Sequence, residues 1–319
     1  MGEEEKLVRA FRDAVERVLE EASRVIVGKR REVELIIATL LSGGHALLEG
    51  VPGVAKTLIA KTVAGLLGLE FRRIQATPDL LPSDIIGTMV FDPARREFYF
   101  RKGPVFTNIL FVDEINRAPP KTQSALLEAM QERQVTVEGR TYRLPEPFLV
   151  IATMNPIEIE GTFPLSEAQV DRFLAKIVVG NPDAPELVEI MRRFDSIERY
   201  VPKPVLTRRD VIEAMEICRR VYVDENILRY IAMIVVATHN HSMVKLGASP
   251  RGAIALMLLS RAVALMRGRL YVTPDDVKYV AHAALDHRII LRGEAQLLSL
   301  IHISEPTRPL YISYAVFCL

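Results

Sequence analysis

Cysteine is scarce in this chain of 319 residues, and tryptophan is missing. The two cysteines, Cys218 and Cys318, lie far apart in the sequence. Such a pair provides the pattern of neither a disulfide framework nor a metal-binding knuckle. Low cysteine usage fits a reducing compartment, and we expect the cytoplasm.

Long apolar runs and a surplus of one charge are also missing. The stretch nearest to a membrane span, residues 253–266, is interrupted by Ser260 and Arg261, and the acidic N-terminus lacks the apolar core of a signal peptide. With 41 basic and 40 acidic residues, the formal charge of +1 gives no electrostatic reason to expect nucleic acid as a partner. A local basic patch could still hide in a neutral total. We expect a soluble globular protein without membrane insertion.

Hydrophobic residues make up 49% of the chain, and two domains are the natural expectation at this length. Helices alternate with apolar strands, which predicts a parallel five-stranded sheet covered on both faces; the strands lie near residues 46–49, 71–75, 109–112, 148–153 and 175–179. Hairpins are predicted near residues 88–101 and 134–144. From about residue 207 onward the pattern contains only helices. We predict an αβα core over residues 1–203 and a small all-α domain over residues 204–296.

The most informative stretch joins the first predicted strand to a helix at residues 56–67. Its backbone N–H groups could wrap a phosphate chain, helped by the N-terminus of the helix. Lys56 would reach the β- and γ-phosphates, and the Thr57 hydroxyl would ligate Mg²⁺. The predicted nucleotide-binding residues are Gly50, Val51, Pro52, Gly53, Val54, Ala55, Lys56, Thr57 and Leu58. The alternative is a glycine-rich turn in an ordinary βα unit.

This loop departs from the pattern G-x-x-x-x-G-K-[ST] at one position, where Ala55 replaces glycine. Alanine is tolerable there if its φ angle is negative, because only a positive φ demands glycine. The interpretation as a phosphate loop therefore assumes a negative φ at Ala55.

Polar residues follow two of the predicted buried strands directly. Asp113 and Glu114 come after the run 109–112, and Asn155 comes after the run 148–153. Ligands of α/β proteins bind at the carboxyl ends of parallel strands. Asp113 would hold the hydration shell of Mg²⁺, Glu114 would orient the attacking water, and Asn155 would bond the γ-phosphate and the water. Two acids can also end a solvated strand, and Asn-Pro often opens a turn.

Three further sites remain, and two of them have two interpretations each. Val27 and Gly28 lie between two predicted helices, where they could close over an adenine ring or form a plain turn. Arg172 is predicted to be exposed beside a short helix. Arg251 opens a helix of the all-α region and could reach back to the nucleotide, or it could be a surface charge.

In this order the features resemble those of the AAA+ ATPases, and the chain resembles the MoxR family in particular. The runs that carry the resemblance are together highly specific; they span residues 50–57, 113–118, 123–133, 152–156 and 167–173. The resemblance covers roughly residues 5–294. Ala55 is usual in this family, whereas Met154 and Ser166 stand where Gln and Pro are common. Neither departure removes a catalytic group.

The resemblance implies a P-loop AAA+ core with a helical lid, ATP as substrate and Mg²⁺ as cofactor. By this resemblance, Lys56 binds the phosphates, and Thr57 and Asp113 bind Mg²⁺. Glu114 is the catalytic glutamate, Asn155 is sensor 1 and Arg251 is sensor 2. Arg172 is the arginine that reaches the γ-phosphate of the neighbouring subunit.

The resemblance also implies a homo-oligomeric ring, expected to be a hexamer, with the two hairpins facing a central pore. Such rings remodel or mature protein complexes, often with a partner that carries a von Willebrand factor A domain.

Two other functions are compatible with parts of the sequence. A nucleic-acid motor would need a basic pore and usually an appended DNA-binding module, and the sequence shows neither. A nucleotide-dependent scaffold without hydrolysis is opposed by the intact Glu114, Asn155 and Arg172. The guanine signature Asn-Lys-x-Asp is missing, which argues against a GTPase.

The last stretch, residues 297–319, resembles no part of the family. It resembles the translation of a sequencing-library adapter, and we expect the native chain to continue differently after about residue 296. The alternative is a genuine apolar C-terminal strand.

Overall fold

The computed structural model describes residues 3–155 and 161–293. Its helices are α1 (Glu3–Ser23), α2 (Arg30–Leu41), α3 (Lys56–Leu66), α4 (Pro82–Ile86), α5 (Pro120–Glu132), α6 (Glu167–Val170), α7 (Ala184–Arg199), α8 (Arg208–Arg220), α9 (Glu225–Asn240), α10 (Pro250–Met266) and α11 (Pro274–Leu285). Its strands are β1 (Ala46–Glu49), β2 (Phe71–Gln75), β3 (Gly87–Asp92), β4 (Glu97–Lys102), β5 (Ile109–Asp113), β6 (Gln134–Val137), β7 (Arg140–Arg143), β8 (Leu149–Met154), β9 (Ala175–Val178), β10 (Val244–Leu246) and β11 (Ile290–Leu291). Within these two ranges no helix is long and apolar enough to cross a membrane.

Five parallel strands form the central sheet in the order β2-β5-β8-β1-β9, so the predicted parallel five-stranded sheet is confirmed. Successive residues of β1 point to opposite faces, and Leu47 and Leu48 pack in two different core clusters. Helices cover both faces. That double coverage explains why the central strands are continuous apolar runs rather than alternating ones.

Antiparallel hairpins occupy both predicted positions: β3 pairs with β4, and β6 pairs with β7. Three aromatic side chains near the end of the first hairpin are exposed, namely Phe91, Phe98 and Tyr99.

Within residues 207–293 the chain is helical as predicted, with one added pair of strands. Strands β10 and β11 form a short antiparallel pair beside α9. Helix α10 packs against α2, and α11 packs against β9, so the helical lid shares a core with one face of the sheet. The boundary at residues 203–204 falls between α7 and α8 and stays a prediction. The adapter-like segment 297–319 lies outside the described residues.

Helix α7 was not predicted, because residues 181–185 resemble a simple chain break. Asp183 is its N-cap and accepts a hydrogen bond from the Glu186 N–H at 2.8 Å. Pro185 stands in the first turn, where the missing N–H costs nothing. Proline and aspartate thus begin a helix here. Every residue of α7 is at least partly exposed, although its apolar residues recur at helical spacing.

Candidate active site

Residues 50–57 form a tight loop between β1 and α3. The Gly50 N–H donates to the Met154 carbonyl at 3.4 Å, which ties the loop to the neighbouring strand. The Lys56 side chain folds back over the loop and donates to the carbonyls of Gly50 and Val51, the latter at 3.1 Å. The ammonium group therefore lies over the loop itself.

The charge of Lys56 is balanced by two acids that are close in space. Partial burial lowers the pKa of Lys56 from its ordinary value, whereas Asp113 and Glu114 favour the charged form electrostatically. Thr57, the second residue of α3, is half-buried beside it. The structure thus brings together the lysine and both acids that the sequence singled out.

Ala55 has φ 64° and ψ 22°, so the negative φ assumed from the sequence is wrong. The left-handed conformation costs a residue with a Cβ atom about 1–2 kcal/mol. A left-handed residue next to a right-handed one turns successive backbone N–H groups toward one point, as in anion-binding nests. Gly50 is required for a different reason, since a Cβ atom there would lie 2.6 Å from the Val179 carbonyl oxygen.

A single hydroxyl joins the two acids. Asp113 ends β5, and Glu114 begins a turn with φ 54° and ψ 53° into a short 3₁₀ helix. Thr153 Oγ1 donates to Asp113 Oδ1 at 2.8 Å and accepts from the Glu114 N–H at 2.8 Å. Because Thr153 is fully buried, this bridge fixes the turn that aims the Glu114 side chain.

Cationic and amide side chains hold one further oxygen of each acid, Asp113 Oδ2 and Glu114 Oε2. Arg73 donates to Asp113 Oδ2 at 2.7 Å. Gln75 Nε2 and Arg117 Nη1 both donate to Glu114 Oε2 at 3.2 Å. The side chains of Asp113 and Glu114 are 16% and 23% exposed, so these contacts work in a partly shielded environment.

Asn155 follows the last residue of β8 and is half-buried. Strand β8 lies between β5 and β1, so Asn155 emerges between the acids and the phosphate loop. The loop, both acids and Asn155 therefore share the carboxyl edge of the sheet.

Val27 and Gly28 lie in the turn between α1 and α2, where Gly28 has φ 73°. The Glu186 carboxylate packs against this turn so closely that a Cβ atom on Gly28 would lie 1.7 Å from Glu186 Oε1. Glu186 also pairs with Lys29 at 3.5 Å. The first turn of α7 thus covers this segment. The two interpretations of Val27 and Gly28, contact with the adenine ring and a plain turn between helices, both stay predictions.

Arg172 lies at the edge of the sheet opposite the phosphate loop. It precedes β9 by three residues, and β9 runs parallel to β1, whereas the phosphate loop follows the end of β1. The four residues of β1, at about 3.3 Å each, separate the two edges by about 13 Å along the strand alone. Arg172, predicted to be exposed, is half-buried at this amino edge.

Arg251 lies at the same amino edge, in the first turn of α10. Its guanidinium pairs with Asp171 at 3.6 Å and is 52% exposed. Ser249, the N-cap of α10, donates to the same carboxylate at 3.3 Å. The structure thus places Arg251 beside the Arg172 turn and away from its own phosphate loop.

A groove at the amino edge holds both arginines. Arg133, Arg172, Arg251 and Arg288 line it together with Asp171, and residues 42–45 form another part of its wall. Four guanidinium groups against one carboxylate give this groove an excess of positive charge. It is suited to a highly charged anion.

Comparison with known proteins agrees with this geometry. Residues 45–175 match the family described as "ATPase family associated with various cellular activities (AAA)", and residues 236–302 match the AAA lid domain. The chain is 48% identical to Chaperone MoxR1 of Mycobacterium tuberculosis over 290 residues, which cover 88% of this chain and 77% of MoxR1. The chain belongs to the MoxR family of AAA+ ATPases.

Two further comparisons agree with this membership. The uncharacterized protein YeaC of Bacillus subtilis is 47% identical over 283 residues, 88% of each chain. The crystal structure of an ATPase candidate from Cytophaga hutchinsonii superposes with a TM-score of 0.85 at 43% identity and covers 94% of this chain and 95% of that one. As a member of the MoxR family, the chain is an ATP-hydrolysing enzyme.

Sequence reasoning missed the side chains that hold the site residues of this MoxR-family ATPase: Arg73, Gln75, Thr153, Asp171 and Arg288. Thr153 carries a recognisable signal, because it is a polar residue ending an apolar strand next to the one that carries the acids. Asp171 could have been noticed as the neighbour of Arg172. Arg288 gives no local signal, because its partner Asp171 lies 117 positions away.

Proposed function

We propose that this chain hydrolyses ATP with Mg²⁺ at the interfaces between subunits of a homo-oligomeric ring. The observation that carries the proposal is the separation of the site into two halves. The phosphate loop and the acids lie at one edge of the sheet, and Arg172 and Arg251 lie at the other. Arginines out of reach of their own loop are available to the loop of a neighbouring copy. A contact between two different surfaces, when repeated, forms a ring if the rotation between subunits closes.

Each subunit would supply one nucleotide pocket from its own residues. Lys56 and the backbone N–H groups of the loop would bind the β- and γ-phosphates. Glu114, aimed by the Thr153 bridge, would orient and polarise the attacking water. Asn155 would hydrogen-bond the same water and the γ-phosphate.

The oxygen atoms available for Mg²⁺ suit the way this ion binds in nucleotide sites. Thr57 and Asp113 are the candidate ligands, and residues 3–155 and 161–293 contain no group of three or more His, Cys, Asp or Glu side chains that could hold a metal. Mg²⁺ commonly takes its other ligands from water and phosphate. Asp113, fixed by Thr153 and Arg73, fits this role. When bound, the ion would neutralise charge that develops on the phosphates.

Arg172, with Arg251 beside it, would complete the pocket of the neighbouring subunit. An arginine supplied in trans contributes about 10³–10⁵ to the rate of phosphoryl transfer. We therefore expect an isolated subunit to be slow and ring assembly, as a hexamer, to switch activity on.

The energy of hydrolysis would serve chaperone-like remodelling of a protein complex. Movement of the lid against the core would displace the two hairpins, and the exposed Phe98 and Tyr99 offer apolar surface to a protein client. The name of the relative Chaperone MoxR1 supports this role. A partner with a von Willebrand factor A domain and a cytoplasmic location are further predictions that rest on the resemblance and on composition.

Steady-state ATP turnover at increasing protein concentration tests the proposal. Specific activity should rise with concentration until the ring has formed, and a flat profile would refute activation in trans. The Glu114→Gln variant should bind ATP and lose turnover. Turnover equal to that of the parent would favour a scaffold, and DNA-stimulated turnover with a steep salt dependence would favour a nucleic-acid motor.

A further inference from the structure

Arg288 is a buried arginine that joins the lid to the turn carrying Arg172. It lies just after α11, and its side chain is only 3% exposed. Nε donates to Asp171 Oδ1 at 2.7 Å, and the terminal nitrogens donate to the carbonyls of Asp171 at 3.1 Å and Phe173 at 2.8 Å. They also donate to the carbonyls of Leu174, at 3.3 Å, and Ala284.

These contacts use all five N–H donors that an arginine possesses. Three of the acceptors are the main-chain carbonyls of residues 171, 173 and 174, which flank Arg172 on both sides. One guanidinium in a planar fork therefore sets the course of the chain through the turn. Lysine could not reproduce this, since it has three donors on a flexible stem.

Stability alone is a poor reason for this arrangement. Burial lowers the pKa of Arg288, and Asp171 opposes that shift, so burying this charge carries a desolvation cost. Buried ion pairs of this kind are often no more stable than well-packed apolar side chains of the same volume. What the five bonds do provide is a fixed geometry.

Asp171 extends this geometry to the second arginine. Its Oδ1 accepts from Arg288, while its Oδ2 accepts from Ser249 and pairs with Arg251. The carboxylate therefore stands between the buried arginine and the one that is half exposed in the groove. Arg172 is the next residue along the chain.

We propose that Arg288 is a positioning residue that fixes the Arg172 turn to the lid, so that Arg172 and Arg251 are presented together to the nucleotide of the next subunit. This inference rests on the proposed action of these arginines in trans. It has one mechanical consequence: a lid movement in one subunit shifts the arginines that serve its neighbour. Arg288 itself would touch neither ATP nor the reacting atoms.

The Arg288→Lys variant tests the inference, and Arg269→Lys is its matched control. Arg269 is also a lid arginine in a bidentate ion pair, with Asp276 at 2.7 and 2.8 Å, but it does not bond residues 171–174. Arg288→Lys should lower kcat by about 100-fold, the scale on which a displacement of about 1 Å acts, with KM for ATP unchanged. Arg269→Lys should keep the kcat of the parent.

Mixed rings separate positioning in trans from damage to the variant's own site. Excess Glu114→Gln subunits, which carry intact arginines, should restore turnover at the ATP sites of Arg288→Lys subunits. Arg172→Ala subunits mixed in the same way provide the reference for action in trans. Rescue of both variants, with no gain for Arg269→Lys, is the expected result.

Three outcomes overturn the inference, and they are distinguishable. Full activity of Arg288→Lys alone would show that the turn needs no such anchor. Loss of ATP binding, or failure of rescue while Arg172→Ala is rescued, would make Arg288 a support of its own subunit's fold. Failure of rescue for Arg172→Ala would refute the action in trans and the inference with it.

Discussion

Replacing Thr153 with valine removes one hydroxyl group while leaving the shape of the side chain nearly unchanged. That hydroxyl is fully buried, donates to Asp113 at 2.8 Å and accepts from the Glu114 N–H at 2.8 Å. Valine can do neither. In the variant, the Glu114 N–H loses its hydrogen bond to this hydroxyl. Asp113 also loses one of the hydrogen bonds that hold its carboxylate.

The magnitude follows from those two bonds. Leaving a buried donor unsatisfied costs about 1–3 kcal/mol, and losing a hydrogen bond to a charged group costs about 1.5–3 kcal/mol. Asp113 keeps its ion pair with Arg73 at 2.7 Å, and its side chain is 16% exposed. The cost of its lost hydrogen bond therefore lies at the low end of the second range. We expect the free energy of unfolding to fall by about 3 kcal/mol. With 319 residues at about 2.1 cal/mol/K each, the melting temperature should fall by about 4–5 °C.

Thermal unfolding and ATP turnover measure the two consequences separately, with Thr153→Ser as the control that keeps the hydroxyl. Thr153→Val should lower kcat by about 100-fold, because the Glu114 turn loses its anchor, and should leave KM for ATP nearly unchanged. Thr153→Ser should retain most of both properties. A valine variant as stable and as active as the parent would refute the role given to the bridge.

Three further predictions concern stability and reactivity. Burial lowers the pKa of both His45 and His287 to about 3, so stability should be complete above pH 6.5 and should fall below it by about 1.4 kcal/mol per pH unit for each histidine. Urea unfolding at pH 7.5 and 5.5 checks this, and equal midpoints would contradict it. Ala55→Gly should raise the free energy of unfolding by less than about 1 kcal/mol, because relief of left-handed strain exceeds the added entropy of the unfolded chain. A clear loss of stability would be inconsistent with the positive φ. Burial raises the pKa of the Cys218 thiol to about 12, so in a Cys318→Ser background the folded protein should resist a thiol reagent that labels the unfolded chain; rapid labelling of the folded protein would contradict the burial.

The sheet could be predicted from the sequence because strands that are buried on both faces are apolar at successive positions. Strands β1, β5 and β8 are unbroken apolar runs, and the residue after a parallel strand always emerges at the carboxyl edge. Asp113, Glu114 and Asn155 could therefore be assigned to one edge without knowledge of the tertiary structure. Helix α7 was missed because residues 181–185 resemble a chain break, although the apolar residues that follow them recur at helical spacing.

The two arginines illustrate what local patterns cannot show. Arg172 precedes a strand, so its place at the amino edge was available from the sheet prediction alone. Arg251 is placed by the docking of α10 near Asp171, a contact across 78 positions between Ser249 and Asp171. The backbone of Ala55 is set by closure of the loop between β1 and α3, which no residue preference specifies. Such features depend on tertiary packing.

Turnover of mixed Arg172→Ala and Glu114→Gln subunits tests the central claim most directly. Each variant alone should be nearly inactive, since one lacks the arginine and the other lacks the catalytic carboxylate. Mixing should restore hydrolysis at the Arg172→Ala subunits that have a Glu114→Gln neighbour. A mixture no more active than its separate components would show that the two halves of the site do not meet between subunits.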